Sequence, residues 1–206
     1  MYFGCSSATL TRMPDESLFA RIASRRIGRR TLCGALLASG AGTMLLARSG
    51  GARAAADAPR TLTLHNTHTL ESLTVEHTRA GQYDDGALAA VNRVLRDHRT
   101  GAVHVIDPGL LELLADAAQQ LGRVPEFEVI SGYRSPETNA AMHARSNSVA
   151  ARSLHVEGRA IDVRLVGCDI GRLRDAGIAL ARGGVGYYET SQFVHLDTGR
   201  VRTWAG

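Results

Sequence analysis

The sequence predicts an α+β domain in which a small, mostly antiparallel sheet has helices packed to one side. Several short stretches alternate between apolar and polar residues, as half-buried strands do. Other stretches carry apolar residues at helical spacing and begin with an aspartate or serine, the residues that cap helices. The order of these segments is typical of an α+β fold.

The first two strands are predicted to form a hairpin. Arg60 to Leu64 and Leu70 to Glu76 alternate and flank the turn residues Asn66-Thr67-His68. Three histidines of this stretch have no metal-like spacing and are interpreted as surface side chains: His65, His68 and His77.

Four helices and further strands follow. Proline stands at the first helical position, directly after the cap, in Asp107-Pro108 and Ser135-Pro136. The predicted helices are Ala87 to Asp97, Pro108 to Leu121, Pro136 to about Ala144 and Ile170 to Ala181. The predicted strands are Phe127 to Ser131, Ala160 to Leu165 and the hairpin strands within Val185 to Trp204.

Residues 1–56 are predicted to be an extension and an export signal, and residues 57–206 the folded domain. Arg25-Arg26 and Arg29-Arg30 precede an apolar stretch from Leu32 to Ala47, and small residues at 52–56 offer cleavage sites. Gly28 to Leu32 resembles a twin-arginine signal. The segment predicts a protein of the periplasm or cell envelope. The alternative is an uncleaved membrane anchor, although the apolar stretch is shorter than the roughly 20 residues of a stable span.

The positive net charge belongs to this amino-terminal segment. The chain has no lysine, and residues 1–56 hold eight of its 24 arginines but only two acidic residues, Asp15 and Glu16. The predicted domain contains the remaining 16 arginines and 18 acidic residues, so its formal charge is slightly negative. The basic composition therefore does not indicate nucleic-acid binding. We expect a monomer, although no feature of the sequence sets the oligomeric state.

Candidate metal ligands lie in two segments. His155 is followed by Gly158, where the backbone can turn without Cβ strain, and then by Asp162 on a predicted strand. Downstream, the alternation of Gln192 to Asp197 places His195 and Asp197 on one strand face. Two histidines and one carboxylate leave a fourth position open for water, as in a catalytic zinc site.

An ordered series of short motifs from about residue 131 to 199 resembles a known group. The chain is similar to the zinc peptidases related to D-Ala-D-Ala carboxypeptidases, murein endopeptidases and the hedgehog signalling fold, and most of all to the murein endopeptidase K type. The resemblance implies a Zn²⁺ cofactor held by His155, Asp162 and His195, and peptidoglycan stem peptides as the substrate. The motifs are Ser131-Gly132-Tyr133-Arg134-Ser135, Asn139-Ala140, Ser153-Leu154-His155, Gly158, Ala160-Ile161-Asp162, Gly184 to Tyr188 and Phe193 to Gly199.

The resemblance implies that Arg134 faces the substrate. A guanidinium binds a carboxylate through two hydrogen bonds, and stem peptides carry carboxylates. Arg134 could also stabilise the oxyanion of the reaction, and the alternative is a surface ion pair. Ser153 is expected to hold the substrate peptide or to orient the ligand loop.

The general base does not follow from the resemblance. Carboxypeptidase relatives place glutamate three residues before the last ligand histidine, where this chain has Gln192, and others place histidine at the position of Phe193. The nearby acids are Asp197 and Glu189. We favour Asp197 as the base, and the alternative is that it accepts a hydrogen bond from a ligand histidine.

Two functions are compatible with these features. The first is a zinc-dependent peptidase that hydrolyses peptide cross-links in murein, favoured by the three ligands and Arg134. The second is a zinc-containing module that binds peptidoglycan without cleaving it, favoured by Gln192 at the position of a base.

Overall fold

Eight strands and four helices form the part of the chain that the structure, a computed structural model, describes: residues 58–146 and 150–206. The strands are β1 (Arg60–Asn66), β2 (Ser72–Arg79), β3 (Gln82–Tyr83), β4 (Glu126–Ser131), β5 (Ala160–Leu165), β6 (Gly184–Tyr188), β7 (Phe193–Asp197) and β8 (Arg202–Ala205). The helices are α1 (Asp85–Val94), α2 (Pro108–Gln120), α3 (Pro136–Arg145) and α4 (Ile170–Leu180). The predicted extension and signal, residues 1–56, lie outside the described residues.

The eight strands form one sheet in the order β3-β2-β1-β4-β5-β7-β6-β8. The pairs β1/β4 and β6/β8 are parallel, and the remaining neighbours are antiparallel. The predicted α+β class with a mostly antiparallel sheet is therefore confirmed. One detail differs, because β8 does not continue the β6–β7 hairpin but returns to pair in parallel with β6.

The apolar core lies on the face of the sheet covered by α2 and α4. Helix α2 contacts β1, β5 and α4, and α4 contacts β5, β6 and β7. Along β5, Ile161, Val163 and Leu165 are buried in this core, and burial of each such side chain contributes about 1.5–3 kcal/mol. Since side chains alternate along a strand, Asp162 projects from the opposite face.

The predicted helix caps are confirmed. The side chain of Asp107 accepts from the Gly109 amide at 2.9 Å, Ser135 accepts from Thr138 at 3.2 Å, and Asp169 accepts from Gly171 at 2.8 Å. Each cap satisfies an amide that has no partner within its helix.

Helix α1 ends at Val94, earlier than the predicted Asp97. The carbonyl of Leu95 accepts from the amide of Tyr133 at 2.7 Å, so it is used by the loop after β4. The Asp97 carboxylate accepts from the amide of Ser135 at 2.9 Å. These two long-range hydrogen bonds draw the chain out of the helical path.

The interpretation of His77 as a surface residue was wrong. Its side chain is fully buried, and its Nε2 atom lies 3.2 Å from the Glu112 carboxylate on α2. Burial lowers the pKa of His77, although Glu112 opposes that shift. The error arose because α1 packs on β2 and Glu112 of α2 meets the His77 ring, contacts that local spacing does not reveal.

Gly158 makes a turn that side chains cannot make without strain, and its replacement should be costly. Its φ angle is +67°, and an added Cβ would lie 2.1 Å from the carbonyl oxygen of Val105. We expect Gly158→Ala to lower the free energy of unfolding by about 2–5 kcal/mol, because left-handed strain and overpacking add. Urea unfolding followed by circular dichroism measures this loss.

Gly101→Ala is the matched control. Gly101 has a similar φ of +74°, but an added Cβ would meet nothing within 4 Å. This variant should lose only about 1–2 kcal/mol, the contribution of left-handed strain. Equal losses in the two variants would contradict the proposed overlap with Val105.

Among the described residues, no helix has both the length and the apolar character needed to span a membrane.

Candidate metal centre

The three predicted metal ligands lie together on the polar face of the sheet. His155 belongs to the loop before β5, Asp162 to β5 and His195 to β7. Asp162 and His195 are directly opposed in the antiparallel pairing of these central strands. All three side chains are buried, with 3%, 7% and 9% of their surface exposed.

Three atoms of these side chains converge on one point. Asp162 Oδ1 lies 2.8 Å from His195 Nδ1, and His155 Nε2 lies 3.2 Å from His195 Nδ1 and 3.3 Å from Asp162 Oδ1. Tetrahedral zinc with bonds of about 2.0–2.2 Å holds its ligand atoms about 3.3 Å apart. The separations within the cluster, 2.8 to 3.3 Å, are close to those of ligand atoms around a single metal ion.

The outer nitrogens of both histidines are held by acceptors. His155 Nδ1 donates to the Gly132 carbonyl at 2.7 Å, and His195 Nε2 donates to Asp197 Oδ2 at 3.1 Å. A carbonyl or carboxylate oxygen can only accept, so these nitrogens carry the protons. When neither inner nitrogen carries a proton, the lone pairs of His155 Nε2 and His195 Nδ1 face Asp162 Oδ1. Three electron-rich atoms at this separation are stabilised by a cation between them, so the residues fit a metal.

The charges of the cluster agree with this fit. Burial opposes ionisation of Asp162, but the two histidines outweigh it and lower the pKa of this carboxyl. Burial lowers the pKa of His155. For His195, burial is outweighed by Asp162 and Asp197, which raise its pKa to about 8. A metal ion would take the place of the proton that His195 otherwise holds, so metal affinity depends on pH.

Asp197 is fully buried and surrounded by donors. Besides His195, its carboxylate accepts from the amides of Gly184 and Gly199 at 2.9 and 2.8 Å and from both terminal nitrogens of Arg202 at 2.7 and 3.0 Å. Burial opposes its ionisation, but these hydrogen bonds prevail and lower the pKa of Asp197. The geometry therefore favours the alternative in which Asp197 holds His195 in place.

Arg134 is buried beside the cluster, which excludes the alternative of a surface ion pair. Its Nη2 lies 3.7 Å from Asp162 Oδ2, the carboxylate oxygen that faces away from the histidines. Weak hydrogen bonds of 3.4 Å join it to Ser131 and Asn139. Its Nε has no hydrogen-bond partner among the described residues. The guanidinium is therefore held beside Asp162 by only weak hydrogen bonds.

The loop after β4 positions both Arg134 and His155. The β4–β5 register shifts between Val129 and Ser131, an irregularity that re-aims a strand end. Gly132 then passes so close to α1 that a Cβ would lie 2.5 Å from the Leu95 carbonyl oxygen. The Arg134 amide donates to the His155 carbonyl at 3.1 Å. Backbone and side-chain hydrogen bonds therefore join the Ser-Gly-Tyr-Arg motif to the Ser-Leu-His motif.

Ser153 and Asn139 support the ligand loop. Ser153 Oγ accepts from the His155 amide at 3.4 Å. The Asn139 side chain donates to the carbonyls of Ala150 and Ala151, each at 3.2 Å. Residues 147–149, in the segment that precedes Ser153, lie outside the described residues.

A cavity of about 470 Å³ opens onto the cluster. Glu189 is exposed and does not line it, and the Gln192 amide donates to the Glu189 carbonyl at 2.6 Å instead of entering it. Sequence reasoning did not assign several lining side chains to the site, although the alternation of β6 could have indicated Tyr188. They include Tyr188, Phe193, Arg202 and Trp204. A larger cavity of about 920 Å³ lies beside β1 and α2, away from the cluster.

The chain is similar to one family model and to named proteins from two bacteria. A family model described as peptidoglycan L,D-endopeptidase MepK matches residues 54–204. A Haemophilus influenzae protein named probable peptidoglycan L,D-endopeptidase MepK is 43% identical over 149 residues, 72% of this chain and 80% of that protein. The Escherichia coli K12 peptidoglycan L,D-endopeptidase MepK is 42% identical over 146 residues, 71% of this chain and 80% of its own length. No solved structure matches the chain.

The family match covers well over half of the chain, and both relatives exceed 40% identity across most of their length. The motifs that carried the resemblance, from Ser131 to Gly199, fall inside the matched residues. The chain belongs to the peptidoglycan L,D-endopeptidase MepK family of M15 peptidases, which is related to the D-Ala-D-Ala carboxypeptidases.

Proposed function

We propose that the protein is a zinc-dependent peptidoglycan endopeptidase that hydrolyses peptide cross-links of the cell wall outside the cytoplasmic membrane. The observation that carries the proposal is the convergence of His155 Nε2, Asp162 Oδ1 and His195 Nδ1 within 3.3 Å of one another. The names of the relatives support the reaction and the substrate.

His155, Asp162 and His195 would hold the metal. Two imidazoles and one carboxylate in a tetrahedral arrangement suit zinc and leave one position for water or substrate. A bound metal would lower the pKa of a water molecule and polarise the carbonyl of the peptide bond. Gly132 and Asp197 hold the outer histidine nitrogens, so the ligand atoms are oriented before a metal arrives.

Arg134 and Ser153 are proposed to bind the substrate peptide. Both line the cavity, together with the cationic side chains of Arg152 and Arg202. A cavity with this charge attracts the carboxylates that stem peptides carry. The guanidinium of Arg134 lines this cavity beside Asp162, where its planar donors can bind a carboxylate of the substrate.

Proton transfer from water is the step for which no lining residue is evident. Among the described residues that line the cavity, Asp162 is the only carboxylate, and it is a proposed ligand. We propose that Asp197 positions His195, because all of its oxygens already accept hydrogen bonds. Glu189 stands on the exposed turn after β6, next to Tyr188, and acts as the base only if substrate binding brings it inward.

The absence of a second carboxylate from the described lining favours the alternative of a binding module. Purified protein loaded with zinc and incubated with intact sacculi separates the two functions. Release of soluble peptide-linked fragments supports the peptidase. Co-sedimentation with sacculi without any release supports the binding module and contradicts the proposed reaction.

We also propose that the protein is exported by the twin-arginine route and cleaved between Ala54 and Ala56. Small residues follow the apolar stretch there, as signal cleavage requires. Mass spectrometry of the exported protein should give the mass of a chain whose first residue lies close to Asp57. A mature mass that still includes Arg25 to Ala47 would contradict cleavage and support a membrane anchor.

A further inference from the structure

Tyr188 is fixed in the cavity by three neighbours. It is the last residue of β6, and its ring stacks on that of Phe193 with centroids 4.6 Å apart. The backbone of Gly206 packs so closely that a Cβ there would lie 2.5 Å from the Tyr188 ring. Trp204 Nε1 donates to the Tyr188 hydroxyl at 3.0 Å. Ring and hydroxyl are therefore both held in position.

The direction of the Trp204 hydrogen bond leaves the Tyr188 proton unused. An indole nitrogen is only a donor, so the tyrosine oxygen must be the acceptor. Within residues 58–146 and 150–206, the Trp204 indole is the only hydrogen-bond partner of this hydroxyl. Tyr188 thus presents an O–H donor with no acceptor of its own.

This donor belongs to the same cavity as the metal ligands. Tyr188 and Trp204 line it together with His155, Asp162 and His195. The indole of Trp204 packs on His195 with ring centroids 5.1 Å apart. This packing requires glycine at position 186, opposite His195 in the sheet. A Cβ atom added there would lie only 2.6 Å from the indole. One aromatic wall therefore connects a metal ligand to the Tyr188 hydroxyl.

The geometry points to Tyr188 as a catalytic residue whose hydroxyl donates a hydrogen bond to the carbonyl oxygen of the peptide bond under attack. This inference rests on the proposed peptidase function. Addition of water to the carbonyl carbon forms a C–O bond and places negative charge on the carbonyl oxygen. The C–N bond then breaks, and the leaving amine takes the proton that the water gave up. Tyr188 keeps its own proton throughout and acts only as a donor.

Preorganised donors matter most when they face developing charge. A hydroxyl already held by Trp204 and Phe193 needs little reorganisation during the reaction, and loss of one such donor typically lowers turnover by about 10²–10³-fold. Arg134 lies in the same cavity but is also engaged by Asp162, Ser131 and Asn139. Tyr188 therefore adds a neutral donor beside a charged one.

Tyr188→Phe tests the inference, because it removes the hydroxyl and keeps the ring that packs on Phe193 and Gly206. We expect kcat for fragment release from sacculi to fall about 10²-fold, with KM, zinc stoichiometry and the melting temperature unchanged. The affinity for an analogue of the substrate peptide, with a phosphinate in place of the peptide bond under attack, should fall by a similar factor. The phosphinate mimics the negatively charged carbonyl oxygen that forms when water adds. The affinity for the product peptide should stay the same.

Two further variants test whether a loss of kcat comes from the Tyr188 hydroxyl and from its fixed position. Tyr187→Phe removes a hydroxyl from the neighbouring residue, whose ring packs against the core and lies 4.7 Å from Arg174, and it should leave kcat unchanged. Trp204→Phe keeps an aromatic ring beside His195 but frees the Tyr188 hydroxyl, so an intermediate loss of kcat is expected.

Wild-type kcat in Tyr188→Phe would overturn the inference. So would a loss that is accompanied by lost zinc, or one that spares phosphinate binding, because either would place the role of the hydroxyl elsewhere. Zinc-loaded wild-type protein that leaves sacculi intact would instead contradict the peptidase function itself, before any variant is compared.

Discussion

Replacing His155 with alanine is expected to abolish stoichiometric zinc binding and to reduce hydrolysis of sacculi to background. His155 supplies one of the three converging ligand atoms, and its ring is buried and fixed by the Gly132 carbonyl. The variant leaves two ligands and a void that water can enter. The loss of affinity should exceed the 10–100-fold that follows from removing an outer partner of a ligand. Zinc content after dialysis, measured by atomic emission, gives the result directly.

His68→Ala is the matched control for this experiment. His68 is exposed on the turn after β1, which β4 separates from β5 in the sheet, and its ring stacks on His98. It should keep one zinc per chain and wild-type turnover. Full metal occupancy in His155→Ala would show that the metal is held by other residues. Loss of metal in both variants would indicate a general effect of removing histidine.

Asp197→Asn is expected to weaken zinc binding by about 10–100-fold, with activity recovered when zinc is added in excess. The substitution keeps an oxygen that can accept from His195 Nε2 but removes the negative charge that strengthens this ligand. Competition with a chelator measures the affinity, and turnover is measured across a range of zinc concentrations. The loss of charge beside Arg202 should also lower stability, so both assays are run below the melting temperature of the variant.

The same experiment decides between the two roles of Asp197. A fall in turnover of about 10²–10⁴-fold with zinc still bound would show that Asp197 is the general base. Glu189→Gln is the companion variant, because Glu189 is the other acid near the site. Loss of turnover with zinc retained in Glu189→Gln alone would assign the base to the exposed turn after β6.

The parts of the fold that local chemistry determines could be predicted. The caps Asp107, Ser135 and Asp169 bind amides within three residues, so their effect is visible in the sequence. Alternation likewise placed Asp162 and His195 on the polar face of their strands, because the side-chain period of a strand is fixed. The two side chains come together in one cluster because β5 pairs with β7, and this pairing is seen only in the structure.

The parts that depend on distant strands could not be predicted. Alternation indicates that Asp197 shares a face with His195, but its role depends on donors from Gly184, Gly199 and Arg202. Trp204 reaches the cavity because β8 pairs in parallel with β6, whereas the sequence predicted hairpin strands. The burial of His77 also depends on a residue distant in sequence, because its ring meets Glu112 of α2.

The direct opposition of Asp162 and His195 on central strands has a consequence for the order in which the protein is assembled. The sheet fixes the spacing of these two proposed ligands through backbone hydrogen bonds, and the apolar core beneath them is built from side chains other than the proposed ligands. Small metal-dependent domains instead lack a preformed site and fold only as they acquire their metal. We therefore expect this polypeptide to reach its native shape first and to bind its metal afterwards, so that folding and metal acquisition are two separate steps of maturation.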